Sequence, residues 1–476
     1  MKRILFTCLA LCTLQITFAQ VSKHKYSLII TNAKIVDVAH NTIISGKLIA
    51  IKGNTIKAID DTKMLAKYKA DKYVDAAGKY VMPGLWDMHI HLRGGTDMVE
   101  ANKAMLPLFL AFGVTTVREC GGDITPQVMQ WRKQTADGTL AGPTIFTSGP
   151  KLDGPKPTWA GSIEVETPQQ VSKALDSLQK IKVDFVKIYE SKISRDAYLE
   201  AVSQAHNRGL KSTGHMPYTV KLTEAVERGM NGSEHLYYVF KACSNKEDSI
   251  TALVQQREHT DKPLGLFGAL PALYNTYDET KAATLFRYLA QQKFTITPTL
   301  FVSKTLDEIK TIDHNRDTLL AYIDPKIQAT YTGRITSAKK QTDAATQFTL
   351  KYAAKAAAMV PQMYRAGVNI IAGSDCGAFN SYVYPGASLH GELKLLVETG
   401  LTPAQALTTS IINGAKFFGL SSFYGALQPG KCSDMVMLSN NPLQNIAAVD
   451  DIKTVIANGK VYTRTNLDTM LRAIKH

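Results

Sequence analysis

Cysteine is scarce: six in 476 residues, two of them, Cys8 and Cys12, close to the N-terminus. The other four, Cys120, Cys243, Cys376 and Cys432, are widely separated and form no Cys-x-x-Cys pair. That spacing excludes a structural zinc knuckle and a small disulfide-framed domain. Long apolar runs are equally rare. Past the N-terminus none approaches the roughly 20 residues that span a bilayer, so a polytopic membrane protein is excluded. The net charge of +14 is scattered, with no stripe of arginine and aromatics, which argues against a nucleic-acid groove. Missing too are a His-Glu-x-x-His pair, a dinucleotide-binding glycine signature and any repeat at solenoid spacing. With 45% hydrophobic and 20% charged residues, the chain has the composition of a globular protein, not a disordered one.

The single apolar run that is present opens the chain. Met1-Lys2-Arg3 is positive, Ile4 to Leu14 is apolar, and Thr17-Phe18-Ala19 offers a small-residue exit before Gln20. These are the three parts of a cleaved secretory signal, over residues 1–19. Neither Cys8 nor Cys12 stands where a lipid-attachment cysteine is placed. The mature chain is therefore expected to be exported, periplasmic or secreted, without a transmembrane segment.

Two textures follow. Residues 20–83 read as short alternating strands, Tyr26 to Val36, Ile43 to Ile51, Thr55 to Ile59 and Tyr73 to Val81, punctuated by Gly53-Asn54 and Gly78. Residues 422–476 repeat that texture around Asn440-Asn441-Pro442 and Asn458-Gly459. Both ends are expected to meet in one small β-sandwich domain. Between them, over 84–421, eight short strands alternate with helical periods, which predicts an α/β protein with a (β/α)8 TIM-like barrel. The strands are read at Leu85–His91, Val114–Glu119, Thr144–Ser148, Asp184–Glu190, Leu210–His215, Gly232–His235, Phe294–Thr299 and Asn369–Asp375. Segment 302–347 is long for a barrel connection and reads as a helical addition at a barrel end; 241–280 is also enlarged, and both are read as candidate lids.

Two near-motifs fail on context. Gly425 to Cys432 nearly spells a phosphate loop but carries Cys432 in place of the hydroxyl, contains Pro429, and leads into a strand. Gly373-Ser374-Asp375-Cys376-Gly377 has Asp where a nucleophile elbow needs a nucleophile.

What survives is a set of metal-binding side chains at strand ends. His89 and His91 stand two apart on one strand, so both imidazoles face one side. His215, His235 and Asp375 end three further predicted strands, and the C-terminal strand ends of such a barrel line its catalytic mouth. Lys187 lies within a central strand, where a bare ammonium is costly unless it is paired or turned outward.

In this order the residues resemble the metal-dependent amidohydrolase superfamily, in the branch that holds imidazolonepropionase-like and Xaa-Pro dipeptidase-like (prolidase-like) proteins. His390-Gly391-Glu392-Leu393, Gly400 to Leu407 and Gly430 to Val436 extend the likeness over the mature chain. The resemblance implies two divalent ions, zinc by preference: one held by His89, His91 and Asp375, the other by His215 and His235. A carboxylated Lys187 would bridge them. It further implies Asp375 as the proton acceptor while metal-generated hydroxide attacks an amide carbonyl. The expected substrate is a small peptide or dipeptide of Xaa-Pro or related type. A cyclic amide cleaved by an imidazolonepropionase-like enzyme and a noncatalytic metal-containing binding protein are the alternatives. His390, Tyr189, Tyr237, Tyr238 and Arg118 are candidate substrate contacts, and homo-oligomerisation is left open. Glu234-His235 runs into Leu236-Tyr237-Tyr238 where the family has glycine, a departure that falls in the substrate mouth.

Overall fold

The computed structural model describes residues 25–476 apart from 259 and 262; the expected signal segment lies outside the described residues. The chain begins with strands β1 (Tyr26–Asp37), β2 (Thr42–Lys52), β3 (Thr55–Asp61), β4 (Ala70–Asp75) and β5 (Tyr80–Pro83). The single strand expected from Tyr73 to Val81 is thus two. Ala77 and Gly78 take positive φ between them, and β4 and β5 both pair in parallel with β1.

Next come the barrel-region strands: β6 (Leu85–Ile90), β7 (Val114–Glu119), β8 (Thr144–Thr147), β9 (Leu152–Asp153), β10 (Ile163–Glu164), β11 (Val186–Ile188), β12 (Ser212–Gly214), β13 (Gly232–Glu234), β14 (Thr295–Thr297) and β15 (Asn369–Ile370). All pairs among them are parallel. The gap between β8 and β11 is bridged where Asp184 N–H donates to the Thr147 carbonyl at 2.9 Å. The ring closes between β15 and β6: Met88 N–H donates to Ala372 at 2.9 Å and Asp375 N–H to His89 at 2.7 Å. With β9 and β10 as a side ladder, eight strands form the barrel.

The C-terminal strands β16 (Met435–Leu438), β17 (Ile452–Ala457) and β18 (Lys460–Thr463) return to the N-terminal sheet. There β16 runs antiparallel to β5, pairing Met435 with Pro83 through Leu438 with Tyr80. The mixed sheet built from both ends is the one expected. Leu28, Ile30, Ile49, Ile51, Val81, Met435, Met437 and Ile456 form one of its apolar layers. Its other side is not separate from the barrel, because Leu438, Val449, Val455 and Leu467 join the barrel's own apolar cluster. The near-phosphate loop is a turn, with Gly430 at positive φ before Cys432 leads into β16.

The long additions are helical. Helices Glu247–Arg257, Leu266–Asn275 and Glu279–Gln291 follow β13, and Leu300–Glu308, Pro325–Ala329, Thr332–Lys340 and Asp343–Arg365 lie between β14 and β15. Cys120, Cys243, Cys376 and Cys432 are buried free thiols. No helix among the described residues is long and apolar enough to cross a membrane.

Candidate active site

The site lies at the C-terminal ends of the barrel strands. His89 is on β6, and its Nε2 stands 3.2 Å from His91 Nε2 and 3.4 Å from Asp375 Oδ1. His91 Nε2 is 2.9 Å from the same carboxylate oxygen, and His235 Nε2 is 3.9 Å from Asp375 Oδ2. Ligand atoms of His89, His235 and Asp375 all lie within 4.8 Å of one another.

This convergence needs two breaks in strand geometry. In regular pleating Glu234 and His235 would point to opposite faces. His235 instead has φ 59°, which lets Glu234 enter the barrel core while the His235 ring also turns to the mouth. Asp375 has φ 59° as well, directly after Ser374, whose hydroxyl donates to Asp87 at 2.6 Å. Such backbone is strained for non-glycine residues and persists only where the surroundings enforce it.

Each ring of the group is aimed from behind. His89 Nδ1 bonds Glu234 Oε2 at 2.8 Å, and His235 Nδ1 bonds Thr299 Oγ1 at 2.6 Å, leaving both Nε2 atoms to face Asp375. Backing of this kind is what metal-ligating histidines have. Burial, with His215 next to it, pushes His235 down to about 3 despite Asp375, so its imidazole is neutral and free to ligate. Burial alone would raise Asp375, but His89 and His91 hold it well below the usual carboxylate range. His91 Nδ1 is buried without a hydrogen-bond partner. A neutral His235 ring, the His89 ring and the Asp375 carboxylate fit one divalent cation of borderline hardness.

The expected pair of ions is corrected here. Among the described residues one group converges closely enough to hold a metal, and it draws His235 to the side of His89 and Asp375. Lys187 is not a bridge: its Nζ stands 3.3 Å from Glu234 Oε1, an ammonium already offset by a carboxylate. A carboxylate added to Nζ would meet Glu234 with like charge. Among the described residues the centre is a single candidate metal site.

Glu234 is the residue that the sequence reading missed. It also accepts from Arg118 Nη2 at 2.9 Å and from Thr213 Oγ1 at 2.6 Å. Burial opposes its ionisation, yet Arg118, Lys187 and His89 hold it well below the carboxylate range. The neighbour of a strand-end histidine is normally discounted as facing outward, and only the left-handed turn at His235 reverses that.

The other expected contacts divide. Tyr189 lies against the His215 ring, centroids 4.3 Å apart, and Tyr238 bonds both Glu190 at 2.5 Å and His215 Nδ1 at 3.1 Å. Tyr237 packs parallel to Tyr352, its ring centroid 6.2 Å from that of His235. Arg118 is fully buried below the site, and His390 lies away from it, tied to Asp450 and to the Phe112 carbonyl. Burial raises Glu190 to about 7 against the pull of Tyr238 and His235.

A cavity of about 70 Å³ sits over the cluster, lined by His91, Arg93, Lys151, Trp159, Lys187, Tyr189, His215, His235, Arg334, Asp375 and Asn380. Glu190 opens onto a second cavity of about 700 Å³, lined by Pro217, Tyr218, Val254, Leu264 and Leu266 among others.

Comparison with known proteins agrees with this fold. A bottromycin amidohydrolase structure superposes with TM-score 0.71 at 18% identity, covering 94% of this chain and 90% of that one. A Xaa-Pro dipeptidase with bound methionine in its active site gives TM-score 0.65 at 19% identity, covering 92% and 99%. An adenine deaminase of Geobacillus kaustophilus is 35% identical over 99 residues, 21% of this chain and 15% of that protein. The chain thus spans only a small part of that relative's length. The profile of the amidohydrolase family matches residues 80–462. Its strand-end histidines, its Asp375 and its barrel make this chain a member of the amidohydrolase family, metal-dependent enzymes that act on carbon–nitrogen bonds.

Proposed function

We propose that this protein hydrolyses the amide bond of a small peptide or dipeptide-like substrate, after export from the cell. The observation that carries the reading is Asp375, an ionised carboxylate held between the ring nitrogens of His89, His91 and His235 at the floor of a small cavity. The likeness to a Xaa-Pro dipeptidase supports an amide substrate, and the Tyr-rich mouth leaves the side chains it accepts to be determined.

His89, His235 and Asp375 would hold the ion; when bound, it supplies a lowered water pKa and a Lewis acid for the carbonyl. Asp375 receives the proton of the attacking water as the new C–O bond forms. It returns that proton to the leaving nitrogen as the C–N bond breaks, so atoms and charge balance over one turnover. His215 Nδ1 lies 3.2 Å from Glu190, which orients its ring in the cavity wall. Arg93 stacks on Trp159 at 4.1 Å, closing one wall against water.

The test is Asp375→Asn, which keeps size and an oxygen ligand but cannot carry the proton. Turnover of a dipeptide panel is expected to fall by about 10²-fold or more while the fold is retained. Near-wild-type turnover with full metal content would sink the proton-transfer role. Cleavage of a lactam but of no dipeptide would transfer the reading to ring opening.

A further inference from the structure

The cavity of about 700 Å³ and the one over Asp375 share no lining residue. Glu190 stands between them: it lines the larger, while His215, 3.2 Å from its carboxylate, lines the smaller. The larger is built from residues 190–194, after β11, and 217–219, after β12. The helical addition after β13 closes it with Val254, Leu264 and Leu266. Its volume is that of a small-molecule site, about 300–1,000 Å³. Most of its walls are apolar, and its charges are of one sign. Among the described residues three carboxylates line it, Glu166, Glu190 and Glu258, against a single cation, Lys192. Glu166, Glu258 and Lys192 are exposed at the rim, whereas the Glu190 side chain is 21% exposed. The ion-pair partner of Glu190 among the described residues is the His215 ring; no lysine or arginine reaches it. Thr219, 2% exposed, lines the same space, and its hydroxyl is buried with no hydrogen-bond partner. A buried polar group left so is costly, and its natural remedy is a partner from outside the chain.

We infer that this cavity is a second ligand site, separate from the catalytic centre, and that it takes a small apolar molecule carrying an ammonium group. The apolar walls receive the body of the molecule. Its ammonium supplies the counter-charge that Lys192 alone does not, through charge-assisted hydrogen bonds to carboxylate oxygen. The Thr219 hydroxyl, able to donate or accept, gains the partner that the protein does not give it. An anionic ligand of the same shape would meet three like charges. Because Glu190 orients His215, an occupant bears on the catalytic wall through one hydrogen bond without entering the catalytic cavity.

The experiment is calorimetric titration of the full chain with tryptamine, tryptophol and indole-3-propionate, which share an indole ring and differ in charge. Tryptamine is expected to bind about tenfold or more tighter than tryptophol, the scale of a charge-assisted hydrogen bond, with indole-3-propionate weakest. Glu190→Gln should remove most of that preference. Glu166→Gln combined with Glu258→Gln, both at exposed positions, should remove part of it. Asp375→Asn and chelator treatment should leave it in place. Equal binding of tryptamine and tryptophol, binding of neither, or a preference for the acid overturns the inference. So does a preference that survives Glu190→Gln or, should that variant fail to fold, one that survives the double substitution. Loss of the preference in Asp375→Asn also overturns it, since the amine would then sit in the catalytic cavity.

Discussion

At the scale of single residues, Glu234 does the most work outside the metal group. One carboxylate offsets two buried cations, Arg118 and Lys187, and orients His89. Glu234→Gln keeps the shape but leaves those cations without an anion. Breaking a buried pair in this way costs about 3–5 kcal/mol, read by denaturant unfolding. Because His89 loses its backing, metal affinity measured by competition with a chelator should fall by about 10–100-fold. Unchanged stability would show that Arg118 and Lys187 are neutralised by something other than Glu234. Of the residues in the site, His89, His91, His215, His235 and Asp375 were legible because strand ends in a barrel converge. Glu234, Arg93, Lys151 and Arg334 were not, since nothing local marks an arginine or a glutamate as inward-facing.

At the scale of elements, helix Leu300–Glu308 is held at its N-terminus by a residue from another helix. Glu392, on helix Ala387–Glu398, accepts the Phe301 N–H at 2.7 Å, and Thr299, the preceding cap residue, bonds His235. A carboxylate suits a helix N-terminus, but this one is fully buried, and burial pushes it up to about 8 even though the backbone donors oppose the shift. A group raised in this way favours the folded state when protonated. Its stabilising contribution is complete below its ordinary 4.5 and is lost as pH rises through about 8. Wild-type melting temperature should therefore decline between pH 5 and pH 8.5 by more than that of Glu392→Gln, whose amide stays neutral. Parallel melting curves for the two proteins over that range would contradict the assignment. The helical additions were visible in sequence as periodic, polar segments too long for loops. Which of their residues reach the mouth was not, because helix docking depends on contacts distant in the chain.

At the scale of the whole molecule, barrel and terminal sheet share one apolar cluster, and the chain's two ends are joined through β5 and β16. Both parts are expected to unfold together. The three tryptophans, Trp86, Trp131 and Trp159, all lie in the barrel, so their fluorescence reports it alone, whereas circular dichroism reports the sheet as well. Met437→Ala, in the sheet's buried layer, should cost about 2–5 kcal/mol and shift both transitions equally. Separate midpoints would show two independent folding units. The alternation of apolar residues and the spacing of turns determined the barrel, the sheet made from both ends and the histidines at strand ends, because these depend on local periodicity and strand parity. Tertiary structure alone decided that one candidate metal group forms, that Lys187 pairs with Glu234, and that Arg93, Lys151 and Arg334 meet. Each of these depends on where a charge finds its counter-charge across the barrel, and on the left-handed turns at His235 and Asp375 that no periodicity announces.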